Sequence, residues 1–125
     1  AYFYKKGSES AKNMIKALRN NEDLALLVDQ RDSSGPIINF FGKQVYATDG
    51  FANLALKYQT MICPVYSIRQ KNGNFKFIYE KPLYFKDYKD LSVNNLVEKV
   101  HTDYFEKWIK ENPTQWLWVH QRWRL

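Results

Sequence analysis

The sequence predicts an α/β fold, a layered sandwich with a mixed sheet and flanking helices. Three observations carry this. Apolar residues recur at helical spacing in three stretches, and short apolar or alternating runs lie between them. Turn chemistry separates the runs, most clearly at Lys71-Asn-Gly-Asn74. The resulting order is helix, strand, strand, helix, strand, strand, helix and a tail, which favours helices layered on a sheet. No internal repeat or low-complexity tract divides residues 1–125, so they read as a single domain or part of one.

Each element has its own signature. Ala11, Met14, Ile15 and Leu18 form an apolar stripe after Gly7-Ser8, flanked by Lys12, Lys16 and Arg19 and ended by Asn20-Asn21. Leu24 to Val28 is a continuous apolar run, as in a strand buried on both faces, closed by Asp29 and Gln30. Residues 31–36 are a loop, and Ile37 to Phe41 is a short strand stopped by Gly42. Asp49 suits the N-cap of a helix whose apolar face is Phe51, Leu54, Ala55 and Tyr58. Met61 to Ile68 returns to a strand, where Pro64 implies an edge, a bulge or a strand end. After the hairpin turn, Phe75, Phe77 and Tyr79 share one face of a strand, with Lys76 and Ile78 on the other. Pro82 to Asp90 is a connection. Ser92 caps a helix running from Val93 to about Glu111, with a staple from Leu91 to Leu96. That helix buries Leu96, Val97, Val100, Tyr104, Phe105 and Trp108, and Pro113 follows its end.

Composition narrows the function classes. The chain is 45% hydrophobic and 17% aromatic, enough for a sizeable core. A net charge of +6 suits an anionic partner: nucleic acid, a phospholipid surface or an anionic substrate. One cysteine, Cys63, precludes an internal disulfide and reads as a small buried hydrophobe. Two histidines and one cysteine disfavour structural zinc, and the residues call for no cofactor. No stretch reaches the length of a membrane span. The chain opens on Ala1-Tyr2-Phe3-Tyr4 without an initiator Met, which suggests a piece of something longer.

The last thirteen residues hold three of the four Trp, together with His120, Arg122 and Arg124. So much aromatic surface must dock, because exposing it invites aggregation. Trp116 and Trp118 read as core. Arg122 reads as a polar anchor, structural or phosphate-binding, since arginine matches phosphate geometry bidentately.

Taken in order, these landmarks resemble the bacterial lipid A biosynthesis acyltransferases, the lauroyl- or myristoyl-type enzymes of the lysophospholipid acyltransferase superfamily. The resemblance rests on Asp29-Gln30 after an apolar strand, Gly35 in the loop, and Phe40-Phe41-Gly42. It continues through Thr48 and Gly50, Leu54-Ala55 and Pro64-Val65. It ends on Pro113-x-Gln-Trp-Leu-Trp-x-His-x-Arg-Trp-Arg. The resemblance covers nearly the whole chain and implies the C-terminal part of a lysophospholipid-acyltransferase-like domain. The implied reaction moves an acyl chain from an acyl-carrier protein thioester to a hydroxyl of a glucosamine-based lipid A precursor, at the cytoplasmic face of the inner membrane. An anionic membrane surface is then a partner. The family's catalytic pair, a His followed five positions later by Asp or Glu, is expected upstream of these residues, so no catalytic residue is assigned here and the fragment alone is expected to be inactive.

His101 and Glu106 match that spacing as text. Within a regular helix five residues turn about 500°, leaving the side chains roughly 140° apart, so the pair is rejected. His101 reads instead as a helix residue beside the apolar stripe, paired with Glu98.

The substrate-binding candidates are Asp29, Gln30, Phe40, Phe41, Gly42 and Arg122. Asp29 and Gln30 close a strand, where α/β sheets place ligands. They suit orientation of a sugar hydroxyl, or equally a strand end tied to loop amides. Phe40 and Phe41 suit an acyl channel, with Gly42 allowing close approach of the backbone, or a core followed by a turn. The basic residues Lys5, Lys6, Lys12, Lys16 and Arg19 suit an anionic lipid surface or a solvated helix face.

Two alternatives come from other classes. A nucleic-acid-binding module fits the charge, but the aromatics fall at core periodicities, which argues for no nucleic acid. A non-catalytic partner subunit would bind a separate protein. An open sheet edge also predicts self-association of the fragment by strand pairing or exchange.

Overall fold

The first apolar stripe does form a helix, α1 (Ser8–Arg19), in a computed structural model that describes Phe3 and residues 7–123. Ala17 is buried, Met14, Ile15 and Leu18 are half-buried, and Lys12, Lys16 and Arg19 are exposed. Asn20 closes the helix and Asn21 takes a left-handed φ of 57°. Lys5, Lys6 and Arg124 lie outside the described residues.

The run Leu24–Val28 is not a strand. Residues 22–29 have no regular secondary structure. Between Asp23 and Asp29 the main chain makes no backbone hydrogen bond among the described residues. The apolar composition favours a strand, but a strand needs a neighbour to bond, and none is present among the described residues. Leu27 is 86% exposed as a result.

Strands β1 (Ile37–Phe40) and β2 (Lys43–Tyr46) form an antiparallel hairpin with Phe40 opposite Lys43. The sequence reading ran the first strand through Phe41 and overlooked the second. Phe41 and Gly42 are the two turn residues, both left-handed at φ 51° and 72°. That is the requirement of the two-residue type I′ turn, whose twist matches the flanking strands. Phenylalanine rarely adopts that region, which is why the turn was hard to read. Ile38, Phe40, Val45 and Ala47 all point into the core.

Helix α2 (Gly50–Tyr58) buries Phe51, Ala52 and Ala55. Asp49 stands at its N-cap, although its side chain makes no capping bond. Strands β3 (Val65–Arg69) and β4 (Phe75–Tyr79) form the second antiparallel hairpin, around the predicted Lys71–Asn74 turn. Pro64 immediately precedes β3, in the strand-end position that proline tolerates. Cys63 is exposed rather than buried, because it sits outside the strand. The two hairpins are separate two-stranded sheets. The chain is therefore mixed α/β as expected, but the single mixed sheet is not formed among the described residues.

The short helix α3 (Phe85–Tyr88) interrupts the predicted connection and buries Tyr88, whose hydroxyl donates to the Thr60 carbonyl. Ser92 caps α4 (Val93–Val100) by accepting from the Asn95 amide at 3.1 Å. A π-helical turn (His101–Phe105) and α5 (Glu106–Glu111) continue the same path. The predicted long helix is thus present but not regular. Leu96, Val97 and Val100 pack from α4 onto β1 and α2, and Phe105, Trp108 and Ile109 extend the same core. No helix among the described residues is long and apolar enough to cross a membrane.

Candidate functional site

The tail after Pro113 folds back over the β1–β2 hairpin. Trp123 stacks on Phe40 with centroids 5.6 Å apart and planes 10° from parallel. Trp118 stacks on Trp123 in turn at 6.1 Å. Trp116 is packed against the core as expected, whereas Trp118 remains 52% exposed on the outer step of this ladder. Its indole N–H donates to the Pro113 carbonyl at 2.6 Å, which pins the tail's own turn.

The stack delivers Arg122 to the interior, where it is 1% exposed. Its Nη1 donates to the Gln30 carbonyl at 3.1 Å and to the Tyr46 carbonyl. Its Nη2 donates to His101 Nε2 at 2.7 Å, and its carbon centre lies 5.5 Å from the Phe40 ring centroid. The Nε atom is buried without a hydrogen-bond partner among the described residues. Burial pulls the guanidinium pKa down to about 10, and the Asp29 charge opposes that pull. The group is a cation at neutral pH and faces backbone carbonyls, not solvent. This arrangement serves the anchor reading of Arg122 and leaves little guanidinium surface for a solvent phosphate.

His101 is wholly buried in the π-helical turn, edge-on to Phe40 and Phe105. It does not pair with Glu98. Its Nδ1 bonds the Val97 carbonyl at 2.8 Å. A carbonyl only accepts, so Nδ1 carries the proton and Nε2 offers its lone pair to Arg122. Burial, with the Arg122 charge adding to it, lowers the imidazole pKa to about 4 and keeps it neutral. Glu106 is engaged elsewhere: its Oε1 accepts from the Phe41 amide at 2.7 Å and its Oε2 from Lys110. His101 and Glu106 therefore form no dyad, for a reason of partners rather than of the regular helix first assumed. Glu98 accepts from the Asn39 amide at 2.8 Å, so these two glutamates cover the outer edge of β1.

Asp29 and Gln30 sit at the edge of this cluster. The Arg122 contact fixes the Gln30 carbonyl, and the next amide, Arg31 N–H, donates to His120 Nε2 at 3.3 Å. The tail thus holds both polar groups of one peptide, the Gln30–Arg31 bond. The Asp29 and Gln30 side chains make no hydrogen bond among the described residues; Asp29 is half-buried and Gln30 exposed. Gly35 makes the loop's path possible: an added Cβ would stand 1.8 Å from the Ala47 carbonyl oxygen.

Phe40 is fully buried, Phe41 half-buried, and Gly42 lies exposed in the turn. A shallow groove lined by Asn95, Glu98, Lys99, Thr102 and Asp103 holds none of the predicted site residues. No cluster of metal-ligating side chains occurs among the described residues. Sequence reasoning missed the Arg122–His101 contact. The signal available was His101's place four residues after Val97 on the buried stripe.

A family model described as bacterial lipid A biosynthesis acyltransferase matches residues 3–125. No curated protein matches the sequence. The matched span takes in the Asp29–Gln30 loop, the Phe-Phe-Gly turn and the Trp-rich tail together, and the chain belongs to the bacterial lipid A biosynthesis acyltransferase family.

Proposed function

We propose that this chain supplies the acceptor side of an acyl transfer from an acyl-carrier protein thioester to a hydroxyl of a lipid A precursor. The observation that carries it is the Asp29–Gln30 loop. Its main chain is clamped by Arg122 and His120, while its two side chains make no hydrogen bond among the described residues. A fixed backbone presenting free polar groups is the construction of a preorganised site. The Asp29 carboxylate accepts from a sugar hydroxyl, and the Gln30 amide can donate or accept beside it. The family match supplies the reaction type.

In that reaction the acceptor oxygen loses its proton to a base and attacks the thioester carbonyl. The tetrahedral intermediate then collapses, expelling the carrier thiolate. His101 is buried and committed to Val97 and Arg122, and His120 is occupied by the Arg31 amide. We assign the base to a His-x4-acid pair outside residues 1–125, so the isolated chain is inactive. The reaction takes place at the cytoplasmic face of the inner membrane. In the working enzyme, Leu24–Val28 completes a layered sheet.

The test compares acyl transfer by this chain and by the gene product that carries it. The substrates are an acyl-carrier protein thioester and a tetra-acylated, Kdo-bearing precursor, with products read by mass spectrometry. The gene product transfers and its Asp29→Asn variant fails while remaining folded. Transfer by the isolated chain, or full activity of Asp29→Asn, would refute the assignment.

A further inference from the structure

The β3–β4 hairpin turns an aromatic face outward. Phe75, Phe77 and Tyr79 alternate along β4, and the register sets them opposite Arg69, Ser67 and Val65 on the same face. They are 59%, 62% and 70% exposed. The sequence reading placed the chain's aromatics at core periodicities, and here the structure departs from it. The reverse face is the anchored one. Tyr66 stacks on Trp108 at 4.4 Å, and Glu80 accepts from the Trp108 indole at 3.0 Å and from Lys107. Gln115 bonds both the amide and the carbonyl of Arg69. The outward face is therefore held rigidly. Single exposed apolar residues are ordinary, but a contiguous stripe on a fixed strand marks an interaction surface.

Charge says what it meets. Arg69 shares the aromatic face, Lys71 stands in the turn and Lys81 follows the strand. All three are exposed and none forms an ion pair among the described residues. The only carboxylate from Arg69 to Lys81 is Glu80, already engaged by Trp108 and Lys107. Aromatic rings rimmed by unpaired cations match the boundary between acyl chains and anionic headgroups. The acyltransferase reading, on which this step rests, also requires a lipid acceptor. We propose that this face docks on an anionic lipid surface, with Phe75, Phe77 and Tyr79 at the headgroup boundary and Arg69, Lys71 and Lys81 on the phosphates.

The experiment mixes the 125-residue protein with phosphatidylglycerol–phosphatidylethanolamine vesicles, and separately with phosphatidylcholine vesicles. Binding is read by co-sedimentation. Binding to the anionic vesicles is expected, weakening as salt rises. The triple variant F75S/F77S/Y79S should bind at least about tenfold more weakly with an unchanged unfolding midpoint. A fluorophore on Phe77→Cys, in a Cys63→Ser background, should be quenched by brominated acyl chains. The same probe on Asn94→Cys of α4 should not.

Equal quenching at the two positions overturns the proposal, as does undiminished binding by the triple variant or no vesicle binding at all. It is also overturned if Lys12→Gln with Lys16→Gln on α1 abolishes binding while the triple variant does not. Capture of a single-stranded oligonucleotide without vesicle binding would assign the face to nucleic acid instead. None of these readouts uses acyl transfer, so an Asp29→Asn protein still tests the docking face if the acyltransferase proposal fails.

Discussion

His101 Nε2 accepts a 2.7 Å hydrogen bond from Arg122 Nη2, twenty-one residues along the chain. A histidine whose other nitrogen is protonated against the Val97 carbonyl can receive that bond only while neutral. One buried imidazole thereby reports whether the tail is seated. The same guanidinium holds the Gln30 and Tyr46 carbonyls, so seating the tail and fixing the Asp29–Gln30 loop are a single event.

Replacing Arg122 with Met should destabilise the protein by about 3 kcal/mol, because three acceptors, one of them fully buried, lose their donor together. Arg122→Lys should recover only part of that, since an ammonium cannot span the three acceptors as the planar fork does. Urea unfolding at neutral pH gives both values. An Arg122→Met midpoint equal to that of the unaltered chain would show that the contacts add nothing. In the folded variant, NMR titration should find the His101 pKa raised, since the Arg122 charge lowers it.

Stability should fall as pH drops from 6.5 toward 4. Burial holds the folded His101 pKa at about 4, below its ordinary 6.5, so between these values the unfolded chain binds the extra proton. The contribution is complete above the unfolded value and is lost as pH approaches the folded one, a change of roughly 3 kcal/mol. Carboxylates titrate nearby, so the measurement is the difference between the unaltered chain and His101→Gln. Parallel stability curves for the two proteins across that window would rule the effect out.

The second hairpin and the long helix were legible because each rests on local chemistry: Asn72-Gly73 in a turn, Ser92 as a cap, apolar spacing from Leu96 to Trp108. What escaped depends on partners distant in sequence. Leu24–Val28 has strand composition, but a strand exists only through its neighbour's hydrogen bonds. The β1–β2 turn was obscured because Phe41 adopts a conformation more typical of Gly or Asn. The exposure of Phe77 cannot be read from alternation, which says that two faces differ but not which one is buried. Of the site, the Asp29–Gln30 loop and the tail were both visible as segments. Their connection runs through an arginine and a histidine whose burial no local pattern encodes.

Gly35 and Gly42 should separate two kinds of glycine requirement. Alanine at 35 would drive its Cβ into the Ala47 carbonyl, and the β2 end or the loop must shift, for a loss of about 3 kcal/mol. Alanine at 42 meets no atom within 4 Å and bears only the left-handed φ of 72°, a loss of about 1 kcal/mol. Because Gly35 lies in the loop beyond Asp29, its alanine variant should also depress acyl transfer by the gene product, while Gly42→Ala should not. Denaturant midpoints ordered the other way would contradict this account.

The exposed run Leu24–Val28 should make the isolated chain self-associate. Its amides and carbonyls make no backbone hydrogen bond among the described residues, and Leu26 and Leu27 are 41% and 86% exposed. Apolar, exposed backbone outside any ladder is a template for a second copy of itself. Leu27→Lys places a charge on the pairing surface, and Leu26→Pro removes one ladder donor. Neither disturbs a core side chain, so both variants should stay folded and shift the protein toward monomer. The triple Phe75, Phe77 and Tyr79 variant should leave association unaltered, because that hairpin already has paired strands and offers a side-chain face instead of a bare edge. Sedimentation equilibrium over a wide concentration range decides it. A monodisperse monomer at the highest concentration would mean that residues 24–28 lack the geometry to template a strand, and that their exposure has another cause.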